Sequence, residues 1–277
     1  MAHPVTVLRD GTSIPSMGFG VGEHADIAAE RYVTAALEAG FRLVDTARSY
    51  GNERGVGAAL RRSGIPRDDV FLQSKLRGSD QGGQPAVRAA LGRTLEALGT
   101  DHIDGYLIHW PLPRLGRFEE SWEAILTLAE EGLVRAPGVS NFTLAHLDNL
   151  ERRTSVLPLV NQVQSSPSVS RCYSVERMRA RGVQAQAYSP LEHASGLHRT
   201  AALRSIADEV GATTAQVVLR WHLDAGRPFV VHSTSPARLR EDLGAADVTL
   251  SPRQREVIDR FDHDEAHAVD PDEHHEM

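Results

Sequence analysis

The chain has 277 residues, 41% of them hydrophobic, one cysteine and a formal net charge of −7. That length and apolar content fit one large α/β domain and exclude a small stapled one, while a lone Cys172 excludes an internal disulfide. Seven acidic residues and no Lys or Arg fall within 262–277 (Asp262, Asp264, Glu265, Asp270, Asp272, Glu273, Glu276); setting them aside leaves 30 acids against 30 bases. The body is therefore neutral and offers no basic field for nucleic acid or an anionic membrane.

The elements run as follows. The N-terminal Met1–Asp10 stretch lacks the basic start and apolar core of a signal peptide, which points to the cytoplasm. Val5-Thr6-Val7-Leu8, with a turn at Arg9-Asp10-Gly11, predicts a β-hairpin. Strand patterns then fall at Gly18–Gly22, Leu43–Asp45, Val70–Lys75, Ile103–His109, Val134–Ser140, Leu159–Gln164, Val183–Ala187 and Phe229–His232. Amphipathic helical patterns separate them at Ala25–Ala39, Glu53–Arg62, Pro85–Leu98, Phe118–Glu131 and Leu144–Arg152, with Ala202–Val210 and Thr213–Ala225 both before the last strand. Nowhere does an apolar run approach the roughly 18 residues of a membrane span.

Eight βα units predict one (β/α)8 TIM barrel spanning residues 1–277, with an N-terminal β-hairpin and an irregular acidic tail at 262–277 that joins the substrate-loop region. An open doubly wound sheet is the competing architecture, but no G-x-G-x-x-G turn opens the first helix; Gly18-Phe19-Gly20-Val21-Gly22 has its glycines in another context. The tail histidines His263, His267, His274 and His275 have no fixed ligand spacing, so no metal is expected. Cys172, with no matched base, reads as a surface thiol.

One residue stands apart in composition. Of the 30 basic residues, 29 are Arg and one is Lys, Lys75. Arg keeps its proton under any ordinary condition, whereas a buried Lys is a compact charge suited to proton-transfer chemistry. Lys75 closes a buried strand, and in a barrel the C-terminal strand ends hold the reactive groups. Asp45 and His109 close two neighbouring strands, and Tyr50 follows Asp45 closely.

Five segments in order then resemble the aldo-keto reductase family, in particular short bacterial diketogluconate reductase-like members. They are Asp45-Thr46-Ala47 with Tyr50-Gly51-Asn52-Glu53, Ser74-Lys75-Leu76, Leu107-Ile108-His109-Trp110-Pro111, Gly138-Val139-Ser140-Asn141-Phe142 and Asn161-Gln162-Val163. The resemblance covers almost the whole chain and implies hydride transfer between a nicotinamide cofactor and a small carbonyl substrate, with Tyr50 as general acid. Asp45, Lys75 and His109 complete the implied catalytic set. A nearby ammonium is expected to lower the phenol's pKa, and a neutral His109 to position the carbonyl by a hydrogen bond.

For the cofactor, the resemblance implies Gly20 and Val21 beside the dinucleotide, Ser140, Asn141 and Gln162 on the carboxamide, Tyr188 stacked on the ring, and Ser189 and Leu191 on the pyrophosphate. It places His232, Ser233, Thr234 and Arg238 at the 2′-phosphate and Glu241 and Asp242 at the adenine. His232 replaces a lysine of the family pattern and Asp242 an asparagine, so NADPH is expected as cofactor, with NADH as the alternative. The substrate wall is expected at Gly22, Ser49, Arg77, His109 and Trp110, with Arg77 available to a polar or anionic substrate. Pro137 and Ser166 also depart from the pattern. A monomer is expected. Two other functions compete: a dinucleotide-binding regulatory subunit, and a lyase or aldolase forming a Schiff base on Lys75.

Overall fold

The computed structural model describes residues 4–192, 196–263 and 269–276. Met1, Ala2 and His3, whose lack of a signal pattern was noted above, lie outside the described residues, as do Asp264, Glu265 and His267 of the acidic stretch.

Two short strands, β1 (Val5–Val7) and β2 (Ser13–Pro15), pair antiparallel with Val5 opposite Pro15. Leu8 and Ile14 of this hairpin pack with Leu43, Phe71 and Leu159 from the entry ends of barrel strands, so the hairpin plugs the floor. The barrel strands are β3 (Met17–Gly20), β4 (Leu43–Asp45), β5 (Phe71–Leu76), β6 (Ile103–Ile108), β7 (Val134–Ser140), β8 (Val160–Gln164), β9 (Gln184–Tyr188) and β10 (Phe229–Val231). Each pairs in parallel with its neighbours, and β10 closes the ring between β9 and β3. The expected (β/α)8 barrel is what forms.

Around it pack α1 (Asp26–Ala39), α2 (Glu53–Ser63), α3 (Gln84–Leu98), α4 (Phe118–Glu130), α5 (Leu144–Thr154), α6 (Cys172–Ala180), α7 (Ala201–Val210), α8 (Thr214–Asp224), α9 (Pro236–Leu243) and α10 (Pro252–Asp259). Local chemistry fixes several starts. Thr143, Thr213 and Ser251 each form a reciprocal capping box with the third helical residue, His146, Gln216 and Gln254. Helix α2 lies so close to α1 that a Cβ on Gly55 would sit 2.1 Å from the Asp26 carbonyl, which only glycine accommodates.

Some boundaries differ from the sequence pattern. Val21 and Gly22 fall beyond β3, because Val21 has left the β10 pairing and bonds only to the Asp45 carbonyl. Helices α6, α9 and α10 were absent from the sequence reading; they are short and polar, with apolar faces narrowed to two or fewer buried residues each. No helix among the described residues is long and apolar enough to cross a membrane.

Candidate active site

The floor plug leaves the C-terminal strand ends to form the mouth, where a cavity of about 1180 Å³ opens. Strand β4 delivers Asp45, β5 delivers Lys75, and the residue after β6 is His109, while Tyr50 ends a single 3₁₀ turn, Arg48–Tyr50, that follows β4. Parallel pairing of β4 with β5 and of β5 with β6 holds these ends side by side.

The Lys75 ammonium is 1% exposed and gives its three protons to three acceptors: Asp45 Oδ1 at 2.9 Å, Asp45 Oδ2 at 2.7 Å and the Thr46 carbonyl at 2.9 Å. Asp45 is held in turn by the side-chain amides of Gln73 at 2.6 Å and Gln162 at 3.1 Å, and both amides also donate to Gln186 Oε1. The ammonium lies 5.6 Å from the centre of the Tyr50 ring, which meets His109 edge-on at 5.8 Å. The four residues expected to act together are therefore brought together.

Their electrostatics depart from expectation at one point. The Tyr50 phenol is pushed up rather than down, first by burial and then by the charges of Asp45, Glu276 and Glu23. Asp45 neutralises Lys75 so closely that little of the ammonium's charge reaches the phenol. His109 is pushed below the ordinary imidazole value, chiefly by burial, with a hydrogen bond to Glu276 opposing and Lys75 assisting. Burial thus favours the neutral imidazole.

On the opposite wall the backbone turns sharply. Asn141, directly after β7, and Ser189, directly after β9, adopt left-handed conformations at φ 62° and φ 52°. Such strain in non-glycine residues concentrates at ligand sites. The Tyr188 hydroxyl donates to Asn141 Oδ1 at 3.0 Å, Asn141 Nδ2 donates to the His109 carbonyl at 3.1 Å, and Ser140 Oγ donates to the Gln162 carbonyl at 3.0 Å. Burial, together with the nearby Tyr50, pushes the Tyr188 hydroxyl up to about 12 despite Arg171.

The cavity continues past Gly20, Gly22, Ser189 and Leu191 to Ser233, Thr234, Arg238, Glu241 and Asp242. Arg238 is exposed, whereas Asp242 is buried and pushed up to about 7 by desolvation and by Glu241, against Arg238. His232 lines the same cavity but is folded into the seam between β3 and β10. Its Nδ1 donates to the Gly20 carbonyl at 2.9 Å and its Nε2 meets His24 Nε2 at 3.1 Å, with the two rings stacked at 5.0 Å. Both ring nitrogens are engaged within that seam, so neither is free to meet the 2′-phosphate at which the family resemblance places His232.

Four expected residues do not line the cavity: Lys75 lies beneath the Tyr50 ring behind Asp45, Val21 is buried, Ser49 meets the lining through His109 and Glu276, and Arg77 is not among the described lining residues. Conversely, sequence reasoning missed Glu23 and His24, and it placed the acidic tail in the substrate-loop region without singling out His274, His275 or Glu276; all five line the cavity. Segment 269–276 is anchored by the Val269 amide on Gln164 at 3.3 Å, by Asp272 on His146 at 3.0 Å, and by His274 stacked on Trp110 at 3.6 Å. The only signal for this was the density of His and acidic residues in 262–277. No group of three or more potential metal ligands occurs among the described residues.

A barrel with this mouth defines a class, and comparison with known proteins names it. The profile of the Aldo/keto reductase family matches residues 16–263. An aldo-keto reductase of Mycolicibacterium vanbaalenii is 40% identical over 271 residues, covering 98% of this chain and 96% of its own. Methylglyoxal reductase DkgA of Salmonella typhimurium is 34% identical over 275 residues, covering 99% of each. The crystal structure of an aldo/keto reductase from Brucella melitensis superposes with a TM-score of 0.91 at 39% identity, over 95% of this chain and 99% of that one. A mutant of Gox0644 in complex with NADPH superposes at 0.94 and 32% identity, over 99% of this chain and 100% of that one. The chain belongs to the aldo/keto reductase family and is an oxidoreductase, as its resemblance to that family implied.

Proposed function

We propose that this protein reduces small aldehydes or ketones with NADPH, using Tyr50 as the proton donor. The observation that carries the proposal is the Lys75 ammonium, tied to Asp45 and Thr46 beneath the Tyr50 ring with His109 alongside. The long cavity suits a dinucleotide without a Rossmann turn. Ser140, Asn141 and Gln162 converge at one end where a carboxamide would be held, the Tyr188 ring stands beside them, and Arg238 with Ser233 and Thr234 supplies a charge and hydroxyls for a 2′-phosphate at the other. A relative of this chain is known in complex with NADPH, which supports that cofactor over NADH.

Bound NADPH supplies the hydride. As the carbonyl carbon receives it, the oxygen gains negative charge and must take a proton. Tyr50, whose phenol is kept protonated by burial and by Asp45, holds that proton throughout the neutral range. Neutral His109 orients the carbonyl through a ring nitrogen, and Trp110 gives the substrate an apolar wall. Lys75 and Asp45 fix the site's charge balance. The same bonds argue against Schiff-base chemistry, because an amine with all three protons engaged and 1% exposure has no lone pair to offer a carbonyl carbon. An intact proton-donor set argues against a purely regulatory role. We further propose a monomeric cytoplasmic enzyme of one domain.

The test is a panel of small carbonyls, methylglyoxal included, followed by loss of NADPH absorbance with wild-type protein and with Tyr50→Phe. The expected result is turnover by the wild type and a fall of about 10²–10⁴ in the variant with unchanged NADPH affinity. Near-normal turnover by Tyr50→Phe where chemistry limits the rate removes Tyr50 as the acid.

A further inference from the structure

Segment 269–276 crosses the mouth on the side of Trp110 and brings a carboxylate into it. Glu276 Oε1 lies 2.7 Å from His109 Nδ1, and the Ser49 hydroxyl donates to the same carboxylate. Its approach is built in: a Cβ on Gly78 would lie 2.3 Å from the Glu276 carbonyl oxygen, so the loop after β5 has room for this segment only because residue 78 is glycine. Glu276 Oε2 is buried and has no hydrogen-bond partner among the described residues, so one oxygen of this carboxylate is left unsatisfied at the mouth.

Among the described residues lining this corner, neither arginine nor lysine offsets the carboxylates. Glu23 and Glu276 line the cavity here, the Asp45 charge is cancelled by Lys75, and the arginine of the lining, Arg238, stands with Ser233 and Thr234 after β10 rather than beside His109. In a partly desolvated site a like charge placed within a few ångströms is repelled far more strongly than in water. A carbonyl compound that binds His109 must come close to Glu276, because the two groups are in contact.

We propose that Glu276 sets the charge preference of the substrate site, admitting carbonyl compounds that carry a positive charge or a hydrogen-bond donor near the reacting group and turning away those that carry a carboxylate there. This rests on the carbonyl-reductase reading and replaces the expectation of an anionic substrate held by Arg77. Glu276 touches His109 rather than the reacting atoms by any bond seen here, so it acts as a specificity-determining residue.

The test compares benzaldehyde with its para-carboxylate and para-trimethylammonium derivatives as substrates of the wild type, Glu276→Gln and Glu276→Lys. Benzoate binding to the NADP⁺ complex of each protein is measured alongside by calorimetry. Wild-type kcat/KM is expected to rank ammonium above neutral above carboxylate. Glu276→Gln should raise the carboxylate-to-neutral ratio about tenfold or more, and Glu276→Lys should invert the order. Benzoate should tighten in the same sequence of proteins. A merely structural role for the segment would change the three substrates alike and could not invert their order on charge reversal; that result, or a wild type that prefers the carboxylate, overturns the proposal. If none of the proteins reduces any aldehyde, the reductase reading fails, and the benzoate titration still decides about Glu276: equal affinities for all three proteins overturn it.

Discussion

The two ends of the cavity are built on opposite electrical plans. Around β4, β5 and β6 the one lysine of the chain is cancelled inside the protein by Asp45, both nearly inaccessible to water. Around β10 and α9 the charges are left open or strained: Arg238 is exposed, and Asp242 is buried beside Glu241 with its carboxyl pushed up to about 7. Preorganised charge suits the end where a reaction must find its groups already in place, since no reorganisation is then needed as charge develops. The other end is completed only by a ligand, so it should be the more tolerant of substitution.

The strongest way to break this comparison is to uncouple the buried pair. Lys75→Met leaves the buried Asp45 without its counter-ion in a closed network with Gln73 and Gln162. Removing one member of such a pair is expected to destabilise by about 3–5 kcal/mol, read from urea unfolding, together with near-complete loss of reduction. Adding Asp45→Asn to it should recover much of the stability and none of the activity. Lys75→Arg tests shape apart from charge. The guanidinium is too large for a cage that binds three protons of an ammonium at 2.7–2.9 Å, so activity should fall severely although the charge remains. Activity near wild type would show that the only lysine among 29 arginines is an accident of composition.

Asp242 sharpens the comparison from the other end. Below about pH 4 both folded and unfolded chains carry a protonated Asp242. Above that the unfolded chain ionises while the folded one keeps its proton, so a penalty grows with pH until the folded group ionises at about 7 and is constant beyond. The rise from 3.8 to about 7 corresponds to at most about 4 kcal/mol. Asp242→Asn should therefore stabilise the protein at pH 8 and leave it unchanged at pH 4, as measured by thermal unfolding at both. An equal effect at the two pH values would mean that Asp242 titrates alike in the folded and unfolded chains.

The reach of sequence reading followed the same division. Asp45, Lys75 and His109 close consecutive barrel strands and Tyr50 follows within one turn, so a strand pattern and a motif suffice to gather them. The polarity of the Tyr50 shift was not legible, because it depends on how completely Asp45 cancels Lys75, which is a matter of bond lengths. Nor was Glu276 on His109: the two lie far apart in sequence with no periodic pattern between them, and only the glycine at 78 and the anchors at His146 and Trp110 make the contact. Helices α6, α9 and α10 escaped notice because so few of their residues are buried.

The smallest effect is expected at His232, where the two plans meet. A histidine in place of the family's lysine suggests a cation that fades as pH rises, but both ring nitrogens are committed, one to the Gly20 carbonyl and the other to His24. The wild-type preference for NADPH should then rest on Arg238 and the hydroxyls of Ser233 and Thr234, and should change little when pH is taken across the imidazole range. His232→Lys cannot stack on His24 or accept from it. Its ammonium is therefore released toward the cavity, tightening NADPH over NADH by roughly three- to tenfold at low ionic strength and less in high salt, since an exposed charge is screened. Arg238→Ala should weaken NADPH selectively by at least as much. Dissociation constants for both cofactors with the three proteins, at two pH values and two salt concentrations, check each part. If His232→Lys moves NADPH and NADH equally, the segment after β10 does not meet the 2′-phosphate, and the open charges at that end of the cavity serve some other purpose.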